Sequence, residues 1–525
     1  MTKPTVCILT SGTGSRLEFY TKEKNKSLLS LNKKSILSKI FGNFPKSSEF
    51  IVSIGYKGKQ VRDFVKIHHP DLNVKFVKVK NYNGKGSGPG TSLFKCKKFL
   101  QKSFFFVSCD TIWEKKIFNI NAFDWMGSYS SKKINTKSFC NLISKKNNIY
   151  KIVDKRRVKK TNNSSIFVGL AFIKNYKLFW EGFKIKSLTE PQVSLGFNNI
   201  LKRKVIKKIN IDWEDTGTKK NYEDLIIKYE KYNFNKNNQQ IYISKSKVSK
   251  YFTDKNIVNK LYKKGTLKKK IFPSNLIKKN NFISYDYING STLYNYYNKN
   301  SLKLLLNFLE NNLWNDKIRK SHSFKNTCKD FYLHKTKNRV RSFKKKYKHL
   351  DKNNFKFKRT KILTTKDIFR KIDWKYISDG IPKFIHGDLQ FDNILFTDKR
   401  KFKLIDWRPN FGKSTLIGDQ YYDFAKLLGG LEINYDLIKK NKFNFRLYKN
   451  NIFMKIPNRK KTQDLINFFE KYLAKNGYNL TKVRIITGLI FLNMSPLHKE
   501  PFDKLLFFFG KHYLQKNLGL LKNAN

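Results

Sequence analysis

The sequence predicts an α/β protein with two domains, and three observations support this prediction. Short apolar strands alternate with helix-like segments from residue 5 onward, which is typical of a parallel sheet with both faces covered. Residues 384–409 resemble a strand, a turn-rich loop and a hairpin, followed by mostly helical sequence. Because 525 residues exceed one ordinary core and the polar stretch 233–240 separates the two patterns, we expect domains at 1–235 and 240–525.

The elements follow in order from apolar periodicity and from glycine and polar breaks. In the first half we expect helices at 35–44 and 60–67, and strands at 5–9, 49–55, 74–79 and 104–110. In the second half we expect a strand pair within 241–252, then helices at 256–267, 302–314, 326–351 and 419–431, with only helices from there to residue 525.

The charge of the chain is strongly positive, with 110 Lys and Arg against 38 Asp and Glu and a formal net charge of +72. The lysines are dispersed and accompany no nucleic-acid-binding motif, so we expect weak adhesion to polyanions and no specific nucleic-acid partner. We expect neither a membrane span nor a signal peptide, and therefore a cytoplasmic protein. Five scattered cysteines without a CxxC pair indicate reduced thiols and no zinc site.

A glycine loop follows the first predicted strand and consists of Gly12, Thr13 and Gly14. Glycines at such a point let backbone N–H groups approach phosphates closely, although a plain turn is the alternative. A dinucleotide site would need another glycine at position 17, which is leucine. Two cations, Arg16 and Lys26, accompany the loop instead, and fixed cations beside a glycine loop suit a triphosphate.

Further polar groups follow later strands of the first half. Asp110 ends the apolar segment FFFVSCD, and a carboxylate at the carboxyl edge of a parallel strand points into the ligand crevice. Asp215 lies in the segment WEDTGT. The glycine-dense stretch NGKGSGPGT, with Gly88 and Gly90, is interpreted as a base- or ribose-binding loop, and a flexible surface loop is the alternative.

Residues 6 to about 220 resemble the nucleotidyltransferases that activate sugar phosphates and phosphocholine, through the GxGxR loop, Thr21 and the lysine before an apolar strand. Asn25 stands where that family has proline. The resemblance implies a Rossmann-like domain with a mixed, mostly parallel sheet. It also implies that Arg16 and Lys26 are catalytic, that Asp110 and Asp215 hold Mg²⁺, and that Gly12, Thr13, Gly14, Gly88 and Gly90 bind the nucleotide.

The same resemblance implies two substrate contacts. Lys155 lies in the segment VDK and Gly169 lies in FVGLAFI, and both segments match positions of the family. A solvated lysine and a packed strand glycine are the alternatives at these two positions.

The second half carries three polar groups at ordered spacing, Asp388, Asn393 and Asp406. Phosphoryl transfer from ATP uses such a set, because one carboxylate accepts the proton of the substrate hydroxyl. An amide oxygen and a second carboxylate hold magnesium against the phosphates. The predicted hairpin would let these distant residues meet, and an ordinary hairpin with polar turns is the alternative.

The segment HGDLQFDN followed by IDW resembles the kinase family that includes aminoglycoside phosphotransferases and choline kinases. This implies a bilobal, protein-kinase-like α+β domain with a small lobe at about 240–295 and a large lobe at about 296–525. Asp388 would be the base, and Asn393 and Asp406 would be metal ligands. His386 would brace the loop, and Asp423 would lock it by hydrogen bonds.

Lys250 would pair with ATP phosphates by the same resemblance, and an exposed strand lysine is the alternative. The turn before it lacks the usual glycines, and residues 256–267 contain no glutamate to pair with it. The basic helical stretch 326–351 is interpreted as a solvated cationic face, and a position near the substrate pocket is the alternative.

Together the two resemblances imply consecutive reactions. The kinase half would use ATP to phosphorylate a small acceptor, namely a choline-like alcohol, polyol or sugar. The other half would join the phosphomonoester to a nucleoside monophosphate from a second NTP, with CTP favoured and Mg²⁺ as cofactor. The product would be a nucleotide-activated precursor of surface polysaccharide. The alternatives are a nucleotidyltransferase with an inactive, regulatory kinase-like domain and a basic polyanion-binding protein.

Overall fold

The computed structural model describes residues 3–131, 135–154, 158, 161, 163–183, 192–229, 238–296, 298–398, 401–456 and 459–521. The chain divides into two compact units. One comprises Met1–Lys255 with Lys279–Ser284, and the other comprises Asn256–Lys278 with Tyr285–Asn525. The predicted linker at 233–240 lies mostly outside the described residues. In the described part of the chain, no helix combines the length and the apolar character that crossing a membrane requires.

A nine-stranded sheet forms the centre of the first unit. Its strands, in spatial order, are Asn73–Lys78, Glu49–Ile54, Thr5–Leu9, Phe104–Ser108, Ser164–Ile173, Trp125–Tyr129, Ile206–Asn210, Asn148–Asp154 and Cys140–Lys145. The first four are parallel, as predicted. The prediction of a mostly parallel sheet is wrong for the other five, where only one pair is parallel. Asn148–Asp154 contains both buried and exposed residues, and such half-exposed strands suit antiparallel pairing.

Two apolar cores cover the faces of this sheet. Val6 and Ile8 belong to one core, and Cys7 and Leu9 belong to the other, because successive side chains of a strand point to opposite faces. The strand Thr5–Leu9 is therefore buried throughout. The helices of this unit are Phe19–Lys22, Ile36–Gly42, Gly58–His68, Pro89–Cys96, Tyr176–Gly182, Ser194–Leu201 and Lys219–Tyr229.

Three short strand pairs complete the first unit. Ser30–Leu31 pairs with Lys34–Ser35, Thr111–Trp113 with Trp213–Asp215, and Gln239–Ile243 with Lys247–Phe252. The third pair was predicted as part of the small lobe of the second domain. In the structure it is held within the first unit, where the Tyr242 hydroxyl donates to the Leu28 carbonyl at 2.6 Å.

The second unit is mainly helical. Its helices are Lys255–Leu267, Lys299–Asn312, His322–Lys329, Lys335–Lys346, Thr365–Arg370, Trp374–Ile377, Gln420–Glu432, Tyr435–Lys439, Arg459–Lys475, Leu480–Met494 and Phe502–Asn517. A π-helical segment, Asp330–His334, joins two of them. The chain passes from one unit to the other within two further strands, Ile277–Lys279 and Phe282–Asp286.

Three small sheets belong to the second unit. The predicted hairpin is present as Ile394–Thr397 with Phe402–Leu404, and Gly290–Thr292 joins its edge. Pro382–Phe384 pairs with Ile417–Asp419. A sheet in the order Thr360–Lys361, Lys356–Phe357, Asn451–Lys455 and Asn444–Tyr448 shows that the prediction of only helices after residue 431 is wrong. Asn444–Tyr448 alternates in exposure with a period of two, which is the periodicity of a strand.

The helix Gln420–Glu432 is the centre of the second unit, since every one of its residues is buried. A helix that is buried on all sides cannot leave a charged side chain unpaired without a large cost in free energy. Two of its charged residues, Asp423 and Lys426, contact the predicted catalytic loop, as described below.

His68 makes the stability of the first unit depend on pH. It is buried, stacks on Phe64 at 5.0 Å between ring centroids and hydrogen-bonds Ser249 at 2.9 Å. Burial, with a smaller effect of His69, lowers its pKa from 6.5 to about 3. Below pH 6.5 the unfolded chain binds a proton here and the folded chain does not. Stability should therefore fall as the pH falls, by about 1.4 kcal/mol per pH unit from this residue.

We predict that His68→Asn removes this contribution, so that wild type loses stability relative to the variant between pH 6 and pH 4. Urea unfolding of the intact chain, with pulsed hydrogen exchange of peptides from residues 50–67, measures the difference. His69 is present in both proteins, so its own protonation contributes to both pH profiles. A stability difference that does not change with pH would show that His68 is protonated in the folded unit.

Candidate active sites

An ion pair lies at the carboxyl edge of the parallel strands in the first unit. Lys26 Nζ lies 3.1 Å from Asp110 Oδ2, and the Ser108 hydroxyl donates to Asp110 Oδ1 at 2.5 Å. Burial acts to raise the pKa of Asp110, but Lys26, Ser108 and Arg16 outweigh it and lower this pKa to about 2. Asp110 is therefore a carboxylate at neutral pH, with two cations beside it.

Asp215 is brought to the same point by the strand pair of Thr111–Trp113 and Trp213–Asp215, in which it lies opposite Thr111. The backbone N–H of Gly217 and the side-chain amide of Asn221 each donate to its carboxylate at 2.7 Å. Burial and the negative charge of Asp110 raise its pKa. The two carboxylates therefore repel one another, and a cation between them would relieve the repulsion.

Gly217 keeps a space open between these groups. A Cβ atom at this residue would lie 2.9 Å from Asp215 Oδ1, 3.2 Å from Asp110 Oδ2 and 3.4 Å from the guanidinium of Arg16. Carboxylate oxygens are the ligands that Mg²⁺ prefers, so the residues around this space fit the predicted ion. Within the described ranges no group of three or more His, Cys, Asp or Glu side chains is arranged so that it could hold a metal ion. Water and nucleotide phosphates would supply the remaining ligands, as is usual for Mg²⁺.

Asn25 fixes the backbone immediately before Lys26. Its side-chain amide donates to the Thr10 carbonyl at 2.9 Å and to the Tyr56 carbonyl at 2.7 Å. Its Oδ1 accepts from the backbone N–H of Ser27 at 2.9 Å, capping the short helical turn that carries Lys26. In this chain, hydrogen bonds from Asn25 thus hold the position where the resembling family has proline.

The predicted glycines differ in their surroundings. Gly14 has φ of 69°, and a Cβ there would lie 3.2 Å from Lys26 Cβ, so glycine lets the loop close over this lysine. Space beside Gly12 is open. Gly88 caps the helix Pro89–Cys96, and Gly90 is buried inside that helix. The Ser92 hydroxyl of this helix lies 2.6 Å from that of Ser11, which places the helix beside the glycine loop.

A cavity of about 190 Å³ opens from the carboxylates and is lined by Arg16, Asp110, Gly169 and Asp215 among other residues. Gly169 has φ of 79°, and a Cβ there would lie 2.7 Å from Ser108 Cβ, so only glycine fits this part of the wall. Lys155 lies outside the described residues. Four residues of this region were not predicted as site residues: Ser108, Asn221 and the cavity-lining Asp154 and Ser194. Asp154 belongs to the segment VDK, and the types of the other three gave no motif signal.

In the second unit the predicted loop brings Asp388 and Asn393 together. The Asn393 amide donates to the Asp388 carbonyl at 2.8 Å, and Lys426 Nζ lies 2.8 Å from Asp388 Oδ1. Burial acts to raise the pKa of Asp388, but Lys426 outweighs it, so this pKa is lowered. Asp388 is therefore ionised at neutral pH.

Asp406 follows the second strand of the hairpin, and its neighbour Ile405 donates from N–H to the Asn393 carbonyl at 2.9 Å. Asp406 has φ of 59°, a left-handed conformation that residues other than glycine seldom adopt. Such residues persist where the surroundings fix them, and they cluster at active sites. An amide oxygen and a carboxylate are suitable ligands for Mg²⁺, so Asn393 and Asp406 fit the predicted metal role by donor chemistry.

Asp423 and His386 hold the loop that carries Asp388. The Asp423 carboxylate accepts from the backbone N–H groups of His386 and Gly387, each at 2.8 Å. His386 Nε2 donates to the Ile405 carbonyl at 3.0 Å, and its Nδ1 accepts from the Asp388 N–H at 3.3 Å. Burial lowers the pKa of His386 to about 3, so the ring is neutral and supports the loop.

Two buried lysines lie at positions where the kinase family has a phosphate-binding lysine and a helix with a glutamate. Lys264 lies in the helix Lys255–Leu267, where the sequence lacks the usual glutamate, and its Nζ donates to the Arg408 carbonyl at 3.1 Å. This contact was not predicted, because a helical lysine normally lies in solvent. Lys250 is buried in the first unit, whereas Asp388 and Asp406 belong to the second. Its pairing with ATP phosphates stays a prediction.

Sequence comparison finds no protein-family profile and no curated protein that matches the chain. Solved nucleotidyltransferase structures match the N-terminal part. One is a provisionally assigned glucose-1-phosphate thymidylyltransferase from Bacillus anthracis, with 20% identity, 45% of this chain and 98% of that chain covered, and a TM-score of 0.38. Another is the inositol-1-phosphate CTP transferase from T. maritima, with 16% identity, 43% and 96% covered, and a TM-score of 0.35.

A third matching structure is CTP:phosphocholine cytidylyltransferase from Streptococcus pneumoniae, with 16% identity, 43% of this chain and 99% of that chain covered, and a TM-score of 0.37. These structures correspond to the first part of the chain only, so the kinase-like fold of the second part stays a prediction.

The position of Asn25 gives a testable prediction for the first site. We predict that Asn25→Asp destabilises the first unit by about 2 kcal/mol or more, because an oxygen would face the carbonyls of Thr10 and Tyr56 without a proton to donate. Urea unfolding of the intact chain measures the change. Asn147→Asp, on an exposed turn, makes the same charge change as a control. Equal stability of the two variants would contradict the role given to Asn25.

Proposed function

We propose that the first unit is a Mg²⁺-dependent nucleotidyltransferase that joins a nucleoside monophosphate from an NTP to a phosphomonoester. The observation that carries this proposal is the convergence of Asp110, Asp215 and Arg16 on the space beside Gly217, with Lys26 paired to Asp110. Two carboxylates and two cations at a glycine loop suit the binding of a metal-bound triphosphate.

The proposed reaction needs charge stabilisation more than proton transfer. An oxygen of the phosphomonoester forms a bond to the α-phosphorus of the NTP, and the bond from that phosphorus to the pyrophosphate oxygen breaks. Pyrophosphate leaves with the electron pair. The attacking phosphomonoester is already largely dianionic at neutral pH, because its second pKa is about 6, so no general base is required.

The residues divide this work between them. Asp110 and Asp215 would hold Mg²⁺, which when bound offsets the negative charge of the phosphates. Arg16 and Lys26 are fixed cations that stabilise charge developing on phosphate oxygens. Asn25 positions Lys26, and Ser108 positions Asp110. CTP is the favoured nucleotide, and a phosphorylated choline-like alcohol, polyol or sugar is the proposed acceptor.

We propose that the second unit is a kinase that supplies this phosphomonoester from ATP. The arrangement of Asp388, Asn393 and Asp406, with His386 and Asp423 supporting the loop, carries the proposal. Asp388 would accept the proton of the acceptor hydroxyl while the oxygen of that hydroxyl bonds to the γ-phosphorus of ATP and ADP leaves. Lys426 keeps Asp388 ionised and ready to accept that proton.

The two activities in sequence would yield a nucleotide-activated group of the kind used to build surface polysaccharide. A nucleotidyltransferase with an inactive, regulatory second unit is the second candidate function. One observation favours it, since Lys264 occupies the helix in which active kinases carry a glutamate, and Lys264 already donates to the loop carbonyls.

We predict that Asp110→Asn lowers pyrophosphate exchange by about 100-fold or more, because a metal ligand stabilises several kcal/mol of developing charge. The assay follows labelled pyrophosphate entering NTP when the intact chain is given CDP-choline, CDP-ethanolamine or nucleotide sugars. Asp212→Asn, at an exposed position three residues before Asp215, makes the same change of side chain as a control and should retain full activity. An unchanged rate of pyrophosphate exchange in Asp110→Asn would contradict the proposal that the first unit is a nucleotidyltransferase.

We predict that Asp388→Asn abolishes phosphorylation of the acceptor while ATP–Mg²⁺ binding changes by less than about threefold, because the base acts in the chemical step. Calorimetry measures ATP binding, and mass spectrometry measures the phosphorylated product. Asp398→Asn, on the exposed hairpin turn, is the matched control. If wild type phosphorylates nothing while supplied phosphomonoesters are activated, the regulatory candidate replaces the kinase.

A further inference from the structure

A cationic cluster lies beside Asp388 in the second unit, formed by Lys335, Arg339, Arg408 and Lys426. Lys335 Nζ lies 3.9 Å from the ring centroid of Phe331, and Arg408 Cζ lies 5.2 Å from the same centroid. Tyr422 stands edge-on to Phe331 at 4.9 Å between centroids. Lys335 and Lys426 lie 5.9 and 6.0 Å from the Tyr422 ring.

The negative charge within this cluster is too small to balance it. Asp388 pairs with Lys426 at 2.8 Å. In the described part of the chain, Lys335 makes neither a hydrogen bond nor an ion pair, and Arg408 donates from Nε to the Asn410 carbonyl at 3.0 Å. Burial and the charges of Arg408, Lys426 and Arg339 lower the pKa of Lys335 well below its usual range. An anion here would relieve this repulsion.

The backbone holds the cluster in this arrangement. Phe331 belongs to the π-helical segment Asp330–His334, and Lys335 follows it directly. Such π segments are rare and are often found at functional sites. The hydroxyl of Tyr332 donates to Asp419 Oδ2 at 2.7 Å, which anchors the segment in the buried interior. A fixed segment therefore holds Lys335 against the rings of Phe331 and Tyr422, and the solvated cationic face predicted for 326–351 does not describe this lysine.

We propose that the acceptor phosphorylated by the second unit carries its own anionic group, a carboxylate or a similar acid, which Lys335 and Arg408 bind while Asp388 takes the hydroxyl proton. The proposal rests on the kinase function proposed above. It names the class of substrate as hydroxy acids, including sugar acids. A hydroxyl oxygen of the acid bonds to the γ-phosphorus of ATP, its proton passes to Asp388, and ADP leaves with the electron pair of the broken bond.

The same geometry disfavours a cationic acceptor. Aromatic side chains bind quaternary ammonium groups through ring faces that are open to the ligand. Here protein cations lie within 6 Å of the rings of both Phe331 and Tyr422. Among the residues that the structure describes, three of the four cations have no carboxylate at ion-pair distance. Choline or an aminoglycoside would add positive charge to this cluster.

The anion bound by Lys335 could belong to the acceptor or to the transferred phosphate of ATP, and kinetics separates the two. The intact chain is assayed with ATP–Mg²⁺ and two matched acceptor sets. One set is glycerate, glycerol and 3-amino-1,2-propanediol, and the other is gluconate, sorbitol and 1-amino-1-deoxysorbitol. We expect the acid of a set to be phosphorylated with the highest kcat/KM, and the amine with the lowest.

Lys335→Met should raise the KM for the acid by about tenfold or more, the usual effect of losing a charge-assisted contact, and should leave the KM for ATP within about twofold. The activity ratio of acid to neutral acceptor should fall. Lys337→Met, exposed on the same helix, is the control and should behave as wild type. An increase in the KM for ATP alone would assign the cluster to the nucleotide and overturn the proposal.

The outcomes distinguish this inference from the kinase function. The enzyme could phosphorylate the neutral or cationic acceptor of a set in preference to the acid, in a reaction that Asp388→Asn abolishes. This result would support the kinase function and contradict the proposal that the acceptor is anionic. No Asp388-dependent phosphorylation of any of the six compounds would overturn both.

Discussion

The ion pair between Lys26 and Asp110 connects the segment after the strand Thr5–Leu9 to the end of the neighbouring strand Phe104–Ser108. The first site depends on this ion pair. A carboxylate buried at the edge of a sheet is costly unless a cation or several donors balance it. Here Lys26 supplies the charge, and Asn25 holds the backbone from which Lys26 extends. Asp215 can then approach Asp110 because Gly217 leaves room between them.

In the second unit, too, a lysine balances the charge of a carboxylate. Asp388 is balanced by Lys426, which extends from a helix buried along its whole length. Asp423, on the same helix, accepts two backbone N–H groups of the loop that carries Asp388. One helix thus supplies both the counter-charge and the support of the loop. In a chain with 110 cationic and 38 acidic residues, the two sites are places where acidic groups are held among cations at close range.

Much of this arrangement could be predicted from the sequence, because polar residues at ordered spacing at the ends of apolar strands usually indicate a ligand site. The structure brings Lys26, Asp110 and Asp215 together, and their roles stay predictions. The four parallel strands, the hairpin after Asn393 and these three candidate residues were predicted in this way. Ser108, Asn221 and Lys426 were not, since single polar residues become partners only through tertiary packing. The hairpin at 444–455 was missed because its alternation is short and its residues are largely exposed.

The central claim is that Asp110 and Asp215 form a metal-dependent nucleotide site in the first unit. Crystals of the intact chain grown with Mn²⁺ and a non-hydrolysable CTP analogue test it most directly, because manganese gives an anomalous signal that locates the ion. We predict an anomalous peak within coordination distance of a carboxylate oxygen of both residues, with the triphosphate beside the Gly12–Gly14 loop. Nucleotide bound elsewhere in the first unit, or manganese distant from both carboxylates, would contradict the claim.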